Sequence, residues 1–280
     1  MIEIICYAAL ATLTLINFFY ALPVIINTTA FSLLIIVAGC NRSTGEMIEN
    51  FKKVHVEKTG SSVETISKED AMQFPLYAGG MLCSLYAMIK YFGKEIVNPL
   101  LLGYMGLGAS TGIKGLLLHT ELAKLDEKKL IKLKVEKISL DLEVSPLDLI
   151  SLIIAYSAVG VYILTKNWLF NNILATLFCV HGIQFMFLGT FQTGFILLSL
   201  LFFYDIFFVF GTDVMLTVAK SIDAPIKLLF PKDWSAEPPQ FSLLGLGDIV
   251  LPGVFIALCL RYDILRHCDL KKAQELYEQG

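Results

Sequence analysis

Charged residues are scarce in this chain. They make up 17% of its 280 residues, whereas an ordinary soluble domain has about 25%. Basic residues (22) are slightly outnumbered by acidic ones (25), and the net charge of −3 gives no basic footprint for binding nucleic acid. Hydrophobic residues reach 56% and are concentrated in long runs. This composition excludes a soluble enzyme, a disordered chain and a fibrous protein, and it indicates an all-α polytopic membrane protein.

Motifs for metal-dependent and serine-dependent hydrolysis are also missing. The four histidines form no HExxH sequence, which argues against a zinc protease. Residues 108–112 match GxSxG, but they lie inside a predicted membrane helix instead of a strand–turn–helix, so we interpret them as a site of close helix packing. The six cysteines lie within or beside apolar runs and predict packing rather than disulfides. No metal or cofactor is predicted.

Several apolar runs are long enough to cross a membrane, which requires about 20 residues. Six spans are predicted at 72–92, 97–118, 147–165, 172–190, 194–218 and 241–261. Residues 4–40 form a longer apolar stretch, interrupted by Pro23 and by the polar residues 27–29. For this stretch we favour one span with an irregular remainder over a hairpin of two, which gives about seven spans. One span there places the N-terminus on the side of the membrane opposite to the polar segment that follows.

The basic residues are unevenly distributed between the two sides of the membrane. They are frequent in 41–70, 119–146 and the C-terminal tail 262–280, and the positive-inside rule predicts that these three segments are cytosolic. The chain is therefore divided into an N-terminal transmembrane scaffold (1–118) with a cytosolic loop (41–70), a cytosolic loop (119–146), a second transmembrane region (147–261) and a cytosolic tail (262–280).

Two acidic residues lie well inside apolar segments of the second transmembrane region. Asp205 follows Tyr204, and Asp248 follows the sequence Gly245-Leu246-Gly247. A carboxylate at bilayer depth costs at least about 2.5–3.5 kcal/mol by insertion scales. A single such acid could be a neutral residue that is hydrogen-bonded to a neighbouring helix. Two acids on consecutive predicted spans favour a functional site instead.

Paired carboxyls suit the hydrolysis of a peptide bond. Two close Asp residues share one proton, because both cannot ionise cheaply. One then acts as a base toward water, while the other bonds the scissile carbonyl and later protonates the leaving amine. Gly245 and Gly247 lack side chains that would keep another backbone away from Asp248, and Pro252 leaves a helical carbonyl nearby without its usual partner.

A transporter or channel is the main alternative from another functional class, since intramembrane acids also form proton and cation pathways. Such a protein is expected to distribute acids along a pore or to show repeated halves. The sequence has one concentrated pair and no internal repeat.

The sequence resembles the presenilin and signal peptide peptidase family of intramembrane aspartyl proteases. Tyr204-Asp205 and Gly245-Leu246-Gly247-Asp248 match the YD and GxGD motifs of that family. Residues 165–265 resemble the signal peptide peptidase branch more than the presenilins, and residues 67–118 are a looser match. The resemblance makes Asp205 and Asp248 the catalytic pair, in a motif completed by Tyr204, Gly245, Leu246 and Gly247.

The resemblance also implies a presenilin-like helical bundle in the membrane of the endoplasmic reticulum. Its implied substrates are remnant signal peptides and type II transmembrane segments, cut within the lipid bilayer without a cofactor. Further partners are left open: a second copy of the chain, or proteins of endoplasmic-reticulum-associated degradation.

The resemblance is incomplete at the C-terminal end. The family has two more spans after the GxGD helix, and the last carries a Pro-Ala-Leu motif beside the active site. This sequence ends at Gly280 without a Pro-Ala-Leu, and the polar residues 262–280 cannot supply a span. Two expectations therefore stand: an active protease, or a catalytically inactive relative that binds membrane helices.

Overall fold

A computed structural model describes most of the chain. The described residues are 2–56, 66–118, 131–135, 140–212, 214, 218, 221–234 and 240–267. Predictions for residues 119–130, 136–139 and 268–280, which belong to the loop 119–146 and the tail 262–280, lie outside the described residues.

Helices dominate the described part of the chain. The α-helices are α1 (Ile2–Phe19), α2 (Val24–Val56), α3 (Lys68–Phe92), α4 (Lys94–Leu117), α5 (Pro146–Thr165), α6 (Trp168–Phe185), α7 (Phe191–Asp205) and α8 (Gly247–His267). A short π-helix (Ile206–Phe210) continues α7. Two antiparallel hairpins pair β1 (Ile131–Val135) with β2 (Leu140–Val144), and β3 (Lys227–Asp233) with β4 (Gln240–Gly245).

The predicted polytopic helical bundle is confirmed. Within the described residues, six helical segments are long and apolar enough to cross a membrane: Ile2–Phe19, Val24–Ile48, Lys94–Leu117, Pro146–Thr165, Trp168–Phe185 and Phe191–Phe208. Helices α3 and α8, which cover most of two further predicted spans, are not among these six.

The prediction of one span and an irregular remainder in residues 4–40 is wrong. The chain forms two helices there, α1 and α2, separated at residues 20–23. Pro23 directly precedes α2, where its fixed φ and missing N–H are tolerated. The side-chain amides of Asn17 and Asn27 bond each other at 2.7 and 2.9 Å and are almost fully buried. This pairing satisfies the amide of Asn27, one of the polar residues that interrupt the apolar stretch in the sequence.

The N-terminus consequently lies on the same side of the bundle as the later part of α2, contrary to the prediction from a single span. The carboxylate of Glu3, in the first turn of α1, accepts a 2.6 Å bond from the guanidinium of Arg42 in α2. Both side chains are buried. The segment 41–56, predicted as the start of a polar loop, continues α2 as helix.

Two predicted elements of the C-terminal half are also corrected. Residues 241–245, placed in a span by the sequence, belong to β4, and the helix begins at Gly247. Short apolar runs fit a buried strand as well as a helix, so the pattern alone could not separate them. Residues 262–267, predicted as polar tail, extend α8.

Close approaches at glycine bring the helices together. A Cβ on Gly108 would lie 2.6 Å from the ring of Phe178, and one on Gly112 would lie 3.1 Å from the carbonyl oxygen of Leu177. The GxSxG segment is thus a packing surface of α4 against α6, as its interpretation from sequence requires. Gly194 of α7 similarly receives the ring of Phe255 from α8, where a Cβ would lie 2.5 Å away.

Substituting Gly194 with alanine is expected to destabilise the contact between α7 and α8. The added methyl group overlaps the Phe255 ring, and such overpacking costs about 1–3 kcal/mol. Thermal unfolding of the purified protein in detergent measures the effect. Gly160→Ala is the matched control, because a Cβ on this α5 residue meets open space and alanine is the better helix former. Equal unfolding temperatures for the two variants would contradict the prediction.

Candidate active site

Asp205 ends α7 and is followed directly by the π-helix 206–210. Single π-turns are rare and often occur at functional sites. The Asp205 side chain is half-buried. Tyr204, beside it, stacks its ring on Phe208 with centroids 4.6 Å apart, and both rings lie against Gly79 of α3. The structure therefore gives Tyr204 a packing role between α7 and α3.

Asp248 is the second residue of α8 and comes three residues after β4 ends. Its side chain is exposed. Helices α7 and α8 are in contact, and Asp205 and Asp248 are close enough for their charges to interact. The structure thus brings together the two acids that the sequence singled out, from helices separated by more than 40 residues.

Neither carboxyl has a bonding partner in the described part of the chain. Among the described residues, no hydrogen bond or ion pair is made by the side chain of Asp205 or Asp248. By contrast, the ring of His181 in α6 lies 2.5 Å from the Thr111 hydroxyl. The structural alternative, a neutral Asp bonded to a neighbouring helix, therefore does not describe either acid here.

The residues between β4 and Asp248 shape the space around its carboxyl. A Cβ on Gly245 would lie 3.2 Å from Oδ2 of Asp248, so a side chain there would press on the carboxyl. Leu246 is buried, and its N–H donates to the carbonyl of Ile226 at 3.3 Å. Gly247 begins α8, and a Cβ on it would meet open space.

The β3–β4 hairpin was missed by the sequence analysis, and it leads directly to Asp248. Lys227 pairs with Gly245, Leu228 with Leu244, and Leu229 with Leu243. In an antiparallel ladder, hydrogen-bonded and non-hydrogen-bonded pairs alternate. The bond from Leu246 to Ile226 marks that pair as hydrogen-bonded, so Gly245 and Leu243 belong to non-hydrogen-bonded pairs.

The backbone N–H and C=O groups of Leu243 and Gly245 therefore point away from β3, toward the outer edge of β4. Within the described residues the sheet has only two strands, and that edge has no paired strand. The Leu243 side chain is 58% exposed. An open strand edge thus ends beside the Asp248 carboxyl.

A metal site is not formed by the described residues, which contain no group of three or more His, Cys, Asp or Glu side chains that could hold an ion. What the described residues supply to this site is two carboxyls and an exposed strand edge.

Comparison with known proteins gives matches over most of the chain. The family model described as signal peptide peptidase matches residues 57–277. The signal peptide peptidases of Mus musculus and Homo sapiens are 42% and 41% identical over 230 residues, which cover 76% of this chain and 59% of each relative. A probable intramembrane protease of Schizosaccharomyces pombe is 34% identical over 209 residues, 74% of this chain and 62% of that protein. No solved structure matches.

The chain spans about three fifths of the length of these curated relatives. The family match covers both Asp205 and Asp248, the β3–β4 hairpin and all the helices from α3 to α8. The chain belongs to the signal peptide peptidase family of intramembrane proteases.

Proposed function

We propose that the chain is an intramembrane aspartyl endopeptidase in which Asp205 and Asp248 hydrolyse a peptide bond of a transmembrane segment. The observation that carries this proposal is that the two acids lie on contacting helices, α7 and α8, in a bundle of helices long and apolar enough to span a membrane, and bond no other described residue. Intramembrane acids are functional by default, and two adjacent ones hold a single proton between them.

The reaction follows the ordinary chemistry of a carboxyl pair. The ionised carboxylate takes a proton from water as the water oxygen attacks the scissile carbonyl carbon. The protonated partner donates a hydrogen bond to the carbonyl oxygen. The tetrahedral intermediate then collapses, the C–N bond breaks, and the nitrogen leaves as an amine after it accepts a proton from a carboxyl.

A helical transmembrane substrate must unwind before it is cut, because its peptide groups are shielded by the i to i−4 bonds. The open edge of β4 supports this step in the proposal. The N–H and C=O groups of Leu243 and Gly245 can replace the helical hydrogen bonds of an extended segment, as in β-strand addition. Pairing there would bring the substrate backbone alongside Asp248, which a Cβ on Gly245 would nearly touch.

The names of the relatives suggest the substrate class. Two of them are called signal peptide peptidases, so we propose remnant signal peptides and other type II transmembrane segments as substrates. We place the reaction in the endoplasmic reticulum membrane. The basic segments 41–70, 119–146 and 262–280 are then cytosolic by the positive-inside rule.

The direct test is cleavage of a synthetic type II signal peptide by the purified 280-residue chain in liposomes. Mass spectrometry of the products is expected to find a cut within the apolar segment. A hydroxyl-containing transition-state analogue is expected to block it, since such compounds imitate the tetrahedral intermediate. Absence of cleavage by a folded protein that still binds the peptide would overturn the proposal and favour the inactive helix-binding protein.

Gly245→Ala is expected to lower kcat about 10- to 100-fold without loss of folded protein. The new methyl group would lie 3.2 Å from the Asp248 carboxyl and shift it, and misplacement of a catalytic group by about 1 Å can cost about 100-fold. Gly160→Ala is the control, because a Cβ on this α5 residue meets open space and Gly160 lies outside the site. Equal kcat values for both variants would contradict this role of Gly245.

A further inference from the structure

Two adjacent buried asparagines of α6 bind the outer edge of β3. The Asn172 side chain donates to the carbonyl of Leu229 at 2.8 Å and accepts from the N–H of Leu229 at 2.8 Å. Asn171 donates to the carbonyl of Lys227 at 2.7 Å and to the side-chain oxygen of Asn172 at 3.2 Å. Both asparagines are almost fully buried, with exposed fractions of 1% and 3%.

These bonds imitate a neighbouring strand. Alternate residues of a strand direct their N–H and C=O groups to the same side, and Lys227 and Leu229 are such alternate residues. A side-chain amide carries a donor and an acceptor, as a peptide group does, so Asn172 occupies the place of one peptide of a further strand. β3 is thus bonded on both sides, whereas β4 keeps an open edge within the described residues.

The apolar contacts beneath the hairpin do not by themselves fix its register along the strand, although directly after β3 the indole N–H of Trp234 donates to the Asn17 carbonyl at 3.1 Å. Leu228 and Phe230 are buried beneath the sheet, and Phe230 packs edge-on against Phe31 of α2 with centroids 5.1 Å apart. Such apolar contacts repeat every two residues, so a slip of two residues keeps the same face buried. The bonds to Asn172 oppose that slip in one direction, because it would bring Pro231, which has no N–H, opposite the amide.

We propose that Asn171 and Asn172 are positioning residues for cleavage. They fix β3 against α6, the ladder carries this position to β4, and β4 then presents its open groups at Leu243 and Gly245 to the substrate in one register beside Asp248. The inference rests on the proposed function, since it concerns where the same site cuts.

The test uses one substitution at two asparagines of α6. Asn172→Asp keeps the side chain's size and its acceptor but loses the donor to the Leu229 carbonyl. Asn167→Asp is the control, because Asn167 caps α6 by accepting from the N–H of Leu169, and aspartate caps equally well. Asn171→Leu, which removes the bond to Lys227, is a second test in case the buried carboxylate of Asn172→Asp prevents folding.

Cleavage of the synthetic signal peptide is followed in liposomes, with active sites counted by binding of the transition-state analogue. Asn172→Asp and Asn171→Leu are expected to lower kcat per site about 10- to 100-fold, with KM changed less than about threefold. New cleavage positions two residues from the original are expected as well. The control is expected to match the wild type. Unchanged kcat per site and a single unchanged cleavage position in folded variants would overturn the inference and leave the asparagines a structural role.

Hydrogen exchange tests the role of the two asparagines independently of whether the protein is active. The backbone amides of 227–230 and 241–245 are expected to exchange at least about tenfold faster in the two test variants than in the wild type and the control. If the wild type cuts no peptide, the proposed function fails, while faster exchange still supports the fixing of the hairpin by the asparagines. Unchanged exchange of these amides in the test variants overturns the inference, whether or not the protein is active.

Discussion

Replacing either Asp205 or Asp248 with asparagine is expected to reduce cleavage of a transmembrane peptide by about 1,000- to 10,000-fold. Each carboxyl acts as an acid or a base toward groups that change charge in the reaction, and such catalysis typically contributes about 100- to 10,000-fold. Asparagine keeps the shape of the side chain but neither takes nor gives the proton. The measurement is product formation under single-turnover conditions with the purified protein.

The double variant distinguishes a shared-proton pair from two independent acids. Residues that act as one unit have strongly non-additive effects, so the double variant is expected to be no slower than the slower single variant, within about threefold. Independent contributions would instead multiply to about 10⁶-fold or more, which would contradict the carboxyl pair.

Two further measurements show whether a loss of activity in the aspartate variants comes from misfolding. Asp263→Asn changes another exposed aspartate of α8, about four turns beyond Asp248, and it is expected to leave the rate within about twofold. Binding of the peptide to the Asp205 and Asp248 variants is expected to stay within about threefold of the wild type. If these variants lost both peptide binding and cleavage, the two acids would be needed for the folded structure and not for the reaction.

The sequence predicted the bundle and both acids because these features depend on local composition. A run of about 20 apolar residues must become a helix in the bilayer, since its backbone groups have no other partners there. Asp205 and Asp248 were detectable because a charge in such a run is rare and costly. Their motif residues Tyr204, Gly245, Leu246 and Gly247 were recognised as a pattern, without any knowledge of the hairpin that positions three of them.

The features missed by the sequence analysis involve side-chain pairings that no local sequence pattern shows. The α1–α2 hairpin is compatible with its polar interruption because Asn17 and Asn27 bond each other. The β3–β4 hairpin is bonded to Asn171 and Asn172, which lie more than 50 residues before it. A buried amide cannot be distinguished from an exposed one by its neighbours in sequence, so neither pairing had a local signal.

Arg42 shows that the burial of a charged side chain also cannot be predicted from its neighbours in sequence. In the sequence it belongs to a basic segment predicted to lie in the cytosol, yet it is 5% exposed in the structure. Its guanidinium bonds Glu3 at 2.6 Å and the carbonyl of Gly112 at 2.7 Å, and its remaining Nη1 has no partner among the described residues. The ion pair thus joins α1, α2 and α4. Gly115 of α4 leaves the space for the guanidinium, which a Cβ there would overlap.

Glu3→Gln is expected to destabilise the protein by about 3–5 kcal/mol, because it leaves the buried charge of Arg42 without its counter-charge. Unfolding of the detergent-solubilised protein by denaturant measures the effect. Replacing both partners with methionine is expected to restore most of the loss, since apolar residues of similar size need no desolvation of charge. The Glu3→Gln variant should therefore be less stable than the double methionine variant, although the single substitution changes fewer atoms.

The ion pair of Lys114 with Asp148 provides the control for burial. Its nitrogen–oxygen distance is 2.9 Å, but its side chains are 28% and 30% exposed, so water screens the charges and Lys114→Met is expected to cost about 1 kcal/mol or less. The two pairs have similar geometry and differ in burial. A Glu3→Gln loss no larger than the Lys114→Met loss would mean that water reaches Arg42, and the N-terminal helix would then be held to α2 by the Asn17–Asn27 pair and apolar packing.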